Sequence, residues 1–246
     1  MANSRSGESV AERIVRVLET FDADRSAQTP SQIARRASLP SSTAHRLVSE
    51  LVATGLLDRD ESGQVRLGMH LWEVAQRGSR ALRLRQAALP YMERVQARIR
   101  AHTQLAVREQ DETLFLERLS HPAAVSNIAR VAGRLPLHAS SAGLVLLAFA
   151  DDAARARILS RPLAALSPET VTDPVELDRV LRRTRREGHV VAHGYIEPVS
   201  TAVAVPVRER GEVIAALSMV LPRDAPTAGA LDELRRAAAA IGRALA

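Results

Sequence analysis

Residues 38–68 read SLPSSTAHRLVSELVATGLLDRDESGQVRLG, and the spacing of polar and apolar residues in that stretch decides the fold. After the Pro40 turn come three hydroxyls, Ser41, Ser42 and Thr43, then His45 and Arg46. Ala44, Leu47, Val48 and Leu51 interleave with them at steps of three and four, the spacing of a helix with one buried face. Ser41 or Ser42 is expected to cap that helix. Gly55 should stop it, and LLDRDESGQVRLG reads as two short strands folded back around Ser62-Gly63.

Two further helices precede this one. Val10, Ile14, Val17, Leu18 and Phe21 share a helical face, with Ser9 and Glu12 spaced as a capping box. Thr29 can cap a second helix with Pro30 in its first position, where a missing N–H costs nothing, and Ile33, Ala34 and Ala37 form its buried stripe. Three short helices, the last two joined by a tight turn, followed by a hairpin, is the order of a winged helix-turn-helix. The third helix would then turn Ser42, Thr43, His45 and Arg46 outward. Small hydroxyls let a backbone approach phosphates and base edges, and Arg46 can pair with guanine acceptors or phosphate. Arg59 and Arg66 of the hairpin would flank the groove. Taken singly, the serines are ordinary capping residues and the arginine a solvated charge. The whole arrangement favours double-stranded DNA over a protein-contact module.

Charge supports this only locally. The 246 residues carry a formal net charge of +6, and every one of the 34 basic residues is arginine. Residues 1–80 hold 11 arginines and 10 acids, while residues 81–246 hold 23 and 18, so bulk basicity does not single out the first module. Residues 25–49, however, contain Arg25, Arg35, Arg36 and Arg46 and no acid, the positive island a phosphate-facing surface needs. Arg35, Arg36 and Ser41 therefore join the DNA-contacting candidates.

The segment SQIARRASLPSSTAHRLVSELVATGLLDRDESGQVRLG resembles the IclR family of bacterial transcription regulators, whose form is a helix, LPxSTxHRLLxxL, a glycine and a wing ending in YRLG. RLPLHASSAGLVLLAF is similar to the family's LPLHATALGKALLAF. RREGHVV, TAVAVPVRERGEVIAALSMVLP and the closing helix match in order and spacing, so the resemblance runs from Ser9 nearly to the end. It implies an α+β protein: a winged helix-turn-helix over residues 1–68, a linker helix over 69–82, and a GAF-like effector-binding domain with an antiparallel sheet over 83–246. It also implies a homodimer or dimer of dimers on a DNA operator, regulated by a small organic acid and expected to act as a repressor.

The second half supports that outline in its own right. MHLWEVAQRGSRAL reads as a helix whose apolar members, Trp72 among them, suit a dimer seam. A longer helix with a kink or start near Pro90 follows, then strands LAVREQ and TLFLERLS around Asp111-Glu112, and a third strand at SNIARV. SAGLVLLAFA reads as a buried helix. Another helix runs from Asp173 to Glu187-Gly188. Strands HVVAH, TAVAVPVR and EVIAALSMVL precede an amphipathic helix through Leu231, Leu234, Ala238, Ile241 and Leu245. Strands with helices segregated around them suggest an antiparallel α+β sheet.

A sheet of this kind can hold a small molecule in a largely apolar pocket. Ser140 and Ser141 stand at a helix N-terminus able to receive a carboxylate. By the resemblance, Ser141, Ala142, Ala202, Ser218 and Val220 line the effector pocket. This chain departs from the family pattern at three places: a frequent Cys is Ala202, a second pocket hydroxyl is Val220, and the Lys of LGKALLA is Leu144. With two polar side chains replaced by apolar ones, the pocket is expected to be less polar and to favour an aromatic or apolar carboxylate over a two- or three-carbon acid. Arg130, His138, His193 and Tyr195 stand where they could reach its mouth, although a structural role suits each as well.

Catalysis, cofactors and metals are not expected. With no cysteine, the sequence rules out disulfides, thiolate metal sites and a thiol nucleophile, and with no lysine it has no Schiff base or P-loop lysine. HASSAG lacks the GxSxG elbow. His189 and His193 bracket a strand-like run, which would hold them about 13 Å apart. No apolar run reaches the ~20 residues that span a bilayer, and the N-terminus has no signal-peptide core, so no membrane partner and a cytoplasmic location are expected.

Overall fold

In the computed structural model, residues 8–22, 24–121, 124 and 129–246 are described, and the chain divides into two units between Ser79 and Arg80. In the first, the helix-period stripes read from the sequence become one small core. Helix α1 (Val10–Leu18), α2 (Pro30–Arg36) and α3 (Ser41–Ala53) are followed by strands β1 (Leu57–Arg59) and β2 (Val65–Leu67) and helix α4 (Met69–Gln76). Val17, Ile33, Ala37, Leu47, Val48, Leu51, Leu57 and Val65 close on one another. The capping box forms as expected, with Ser9 Oγ accepting from Glu12 N at 3.1 Å and Glu12 Oε2 accepting from Ser9 N at 2.6 Å. Thr29 and Gln32 make the same reciprocal pair at the start of α2, with Pro30 in its first turn.

The start of α3 differs from expectation. Pro40 occupies the cap position, and no side chain caps the helix. Ser41 and Ser42 fall inside the first turn, where their hydroxyls cannot fold back as caps. The turn before α3 is held from outside. Arg16 donates to the carbonyls of Ala37 and Ser38, the latter at 2.9 Å, while Ser38 takes a left-handed φ of 50°. At the other end, Gly55 adopts φ 74°, the left-handed step that ends a helix at least cost in glycine. The hairpin docks through Gln28, whose backbone exchanges both hydrogen bonds with Val65, at 2.9 and 2.7 Å.

The linker helix is shorter than the expected 69–82. It ends at Gln76, and Arg80–Leu82 already belong to α5 (Arg80–Ile99), which runs through Pro90 rather than starting there. None of α4's residues is buried, and Met69, Trp72 and Val74 are exposed.

The second unit is a six-stranded antiparallel sheet. Its strands are β3 (His102–Glu109), β4 (Glu112–Leu119), β5 (Arg134–Pro136), β6 (Val190–His193), β7 (Ser200–Glu209) and β8 (Glu212–Pro222), in the order β5-β4-β3-β8-β7-β6. Helices α5 and α9 (Ala228–Leu245) cover one face through Met92, Leu217, Met219, Leu234 and Ile241. The other face meets α6 (Ser141–Ala148), flanked by α7 (Asp152–Leu159) and α8 (Pro174–Glu187). All eight residues of α6 are buried, so it shows no helical period and reads in sequence as a plain apolar run. A Cβ on Gly143 would strike the Leu137 carbonyl and the Thr113 hydroxyl, so only glycine lets α6 pack this closely. The strand expected at SNIARV falls mostly outside the described residues. The short strand β5 and helix α7 were not anticipated.

Candidate DNA-binding face and effector site

Helix α3 is two-sided. Ala44, Leu47, Val48 and Leu51 are buried, while Ser41, Ser42, His45 and Arg46 are exposed and Thr43 is half-buried. The outer face is open to an approaching ligand at every candidate except Thr43, which is partly covered. Because Pro40 supplies no cap, the first-turn N–H groups of α3 have no side-chain acceptor, and a helix start of this kind favours a phosphate.

The charges around that face are less free than the acid-free window suggests. The acids lie just beyond its edges and fold back onto it. Asp22 binds Arg25, and Glu50 accepts from Arg46 at 2.6 Å. With 57% of the Arg46 side chain exposed, this pair is worth only about 0–1 kcal/mol and yields readily to a stronger acceptor. Arg36 donates to the side chain of Gln28, which ties it to the hairpin, while Arg35 is exposed. On the hairpin, Arg66 lies 3.4 Å from Asp60, and Arg59 is exposed. Asp60 organises the turn by accepting from Ser62 Oγ at 2.6 Å, Ser62 N at 3.1 Å and Gln64 N at 2.9 Å. The Ser62 hydroxyl leads in holding its carboxyl below the usual range, with the Gln64 amide and Arg66 adding to the effect.

In the second unit the candidate effector residues gather on the sheet face beside the start of α6. Ser140 is not free to meet a ligand. Its hydroxyl caps α6 by accepting from Gly143 N at 3.0 Å and lies 3.1 Å from Thr113 Oγ1. Ser141 and Ala142 are buried in the first turn of the helix. Strand register joins the others: Ala202 pairs with Val220, which pairs with His102 on its other side. Ser218 stands two residues from Val220 on the same face and pairs with Gln104 and Ala204.

That register brings in residues the sequence did not single out. Arg118 pairs with Gln104, so Arg118, Gln104 and Ser218 form one row across β4, β3 and β8. Ala106 and Ala216, two residues along, pack into the α6-side core, which places the row on the same face. Gln104 is 4% exposed and Ser218 fully buried. Ser218 Oγ donates to Gln104 Oε1 at 3.2 Å, and Arg118 Nη1 donates to the Ala129 carbonyl at 2.8 Å. Gln104 Nε2 and Arg118 Nε have no hydrogen-bond partner among the described residues. The expected loss of polarity at Ala202 and Val220 is therefore offset by neighbours on the adjoining strands.

The other candidates are structural or marginal. His138 is buried with Nε2 at 2.9 Å from the Ala164 carbonyl, and His193 Nδ1 lies 2.8 Å from Thr201 Oγ1. Tyr195 packs against the α6-side core, where burial first and Glu176 second push its phenol up. Arg130 is exposed. A separate open crevice of about 890 Å³ lies where the β3–β4 and β7–β8 hairpins diverge. Its arginines, Arg108, Arg185 and Arg208, are matched by Glu109, Asp151 and Glu212, and no candidate effector residue lines it. No group of three or more metal-binding side chains exists among the described residues, nor any helix there long and apolar enough to cross a membrane.

Residues 10–61 match the IclR helix-turn-helix domain, and residues 78–246 match the bacterial transcriptional regulator IclR C-terminal domain. The chain belongs to the IclR family. This IclR-family chain is 30% identical over 241 residues to the HTH-type transcriptional regulator XynR of Escherichia coli strain K12, covering 95% of this chain and 96% of that protein. It is 28% identical to the Pca regulon regulatory protein of Pseudomonas putida, covering 82% of this chain and 70% of that one. Among solved structures, an IclR homolog from Microbacterium hydrocarbonoxydans complexed with 4-hydroxybenzoate aligns with a TM-score of 0.92 and 60% identity, covering 96% of this chain and 99% of that one. As an IclR-family protein the chain is a DNA-binding transcriptional regulator with a ligand-binding C-terminal domain, not an enzyme. In IclR terms, the first match holds α1 to α3 and the second holds the sheet with its Arg118–Gln104–Ser218 row.

Proposed function

We propose that the protein is a cytoplasmic repressor that binds its operator through α3 and the β1–β2 hairpin, and that an aromatic hydroxy acid of the 4-hydroxybenzoate class controls this binding. The observation that carries the DNA half is the two-sided α3: a fully buried apolar stripe opposite exposed Ser41, Ser42, His45 and Arg46, with an uncapped first turn. Ser42, His45 and Arg46 read base edges. Arg35, Arg59 and Arg66, with the α3 N-terminus, position the duplex through phosphates. Thr43 contributes at the rim of that face, and Arg36 acts through the hairpin it holds.

The effector half rests on the 4-hydroxybenzoate held by the 60%-identical neighbour, together with a sheet face that combines small apolar side chains with a few polar ones. Ser141, Ala142, Ala202, Ser218 and Val220 line this site, while Ser140 shapes it as the α6 cap. A homodimer or dimer of dimers follows from exposed Met69, Trp72 and Val74 on α4, which self-association would cover. A ligand alters operator binding only through unequal affinity for the DNA-competent and DNA-incompetent states.

The test uses duplexes selected by the protein from a random-sequence library. Fluorescence anisotropy should show specific binding that falls steeply with salt and weakens as 4-hydroxybenzoate is added. Binding indifferent to the acid at all concentrations would leave a constitutive DNA-binding protein whose second unit serves only assembly. Deleting residues 81–246 should cost dimerisation and much of the affinity, checked by sedimentation alongside anisotropy.

A further inference from the structure

The polar row on the sheet has a chemical bias. Ser218 donates to Gln104 Oε1, which satisfies the acceptor end of that amide and leaves Nε2 as a donor with nothing to meet. Gln104 is more than nine-tenths buried, so water does not readily substitute. Arg118, its neighbour across the β3–β4 ladder, carries a second buried donor, Nε, that is equally unsatisfied. Arg118 Nη1 is already committed to the Ala129 carbonyl, which anchors the guanidinium beside Gln104. Two adjacent buried donors without acceptors are costly to leave unmet, and one of them belongs to a permanent cation.

We infer that Gln104 and Arg118 are the specificity-determining residues of the effector site and that together they receive the ligand's carboxylate. This rests on the reading of that face as the effector site. A carboxylate offers two acceptor oxygens and a negative charge to this donor pair, whereas a carboxamide of the same shape brings an NH2 donor and no charge. The adjoining row, His102, Val220, Ala202 and Ala192, is one strand step of two residues away on the same face. Its small apolar side chains at Val220, Ala202 and Ala192 give the aromatic ring a floor. The family's polar groups replaced by Ala202 and Val220 are thus not needed to hold the acid. Their replacement makes room for a ring, while the charge is read one row along. The site selects aromatic monocarboxylates over their amides and over phenols.

Calorimetric titration of the full-length protein with 4-hydroxybenzoate, 4-hydroxybenzamide and phenol tests this. The wild type should bind the acid at least tenfold more tightly than the amide or phenol. Gln104→Glu, which sets a negative charge against the carboxylate, should abolish that preference. Arg118→Met should reduce it at least tenfold while leaving amide binding within twofold. The acid-to-amide ratio is the decisive quantity, because a loss of folding would lower both affinities together. An unchanged ratio in either variant overturns the inference while leaving the effector-site reading intact. A wild type that binds none of the three compounds yet still binds its selected duplex overturns both.

Discussion

The two polar surfaces of this molecule are built in opposite ways. On α3 the polar groups face water across the helix from a sealed apolar stripe, so they are free to meet a partner that arrives from outside. On the sheet, Gln104 and Ser218 are buried between strands and helices, where each unmet donor is a standing cost. The first surface suits a large, highly charged polymer that must come and go. The second suits a small ligand that is enclosed and read by directional hydrogen bonds. A regulator needs both, and each unit supplies one.

Substitutions at exposed and buried positions sharpen this contrast. The largest effect should come from beneath the exposed face. Leu47 is fully buried on the inner side of α3, and Leu47→Ala should cost about 2–5 kcal/mol, read by denaturant unfolding of the first unit. Next, Arg46→Ala should weaken binding to the selected duplex by about 1–3 kcal/mol while leaving unfolding nearly unchanged, since its ion-pair partner, Glu50, is itself exposed. Unchanged operator affinity would remove Arg46 from base reading. Arg59→Ala should have a smaller, sequence-independent effect, lowering the salt slope of DNA binding by about one, as loss of a single phosphate contact would.

The smallest effect is one of pH. Asp60 is held below its ordinary carboxyl value, so its contribution to the hairpin turn is fully present above the unfolded Asp pKa of about 3.9. It is lost as pH falls through the lower folded value. Amide exchange at Ser62 and Gln64 should therefore show less protection below that window than expected from the intrinsic pH dependence alone. Asp60→Asn should show a weakened turn at every pH. Protection that follows only the intrinsic rate would mean Asp60 does not organise the turn.

Much of the first unit is legible from sequence because its elements are amphipathic. A stripe of period 3.6, Ser9 with Glu12, Thr29 with Gln32, and Gly55 each leave a local mark. The misreadings there are also local. A proline took the cap position that a serine was expected to fill, and Asp22 and Glu50 sit just outside a window drawn in sequence but beside it in space. The effector face was harder to read because β3 and β8 are buried on both sides, which erases the alternation that marks a half-exposed strand. Gln104 and Arg118 meet only through the β3–β4 register. Neither carries a local signal that separates it from an ordinary strand residue.

The most direct test of the account joins the two surfaces in one titration. Affinity of the full-length protein for its selected duplex is measured at fixed salt across increasing 4-hydroxybenzoate, for the wild type and for Gln104→Glu. The account predicts an affinity that falls several-fold with the acid in the wild type and stays flat in the variant. Equal curves for the two proteins, or a wild-type affinity untouched by the acid, would contradict it.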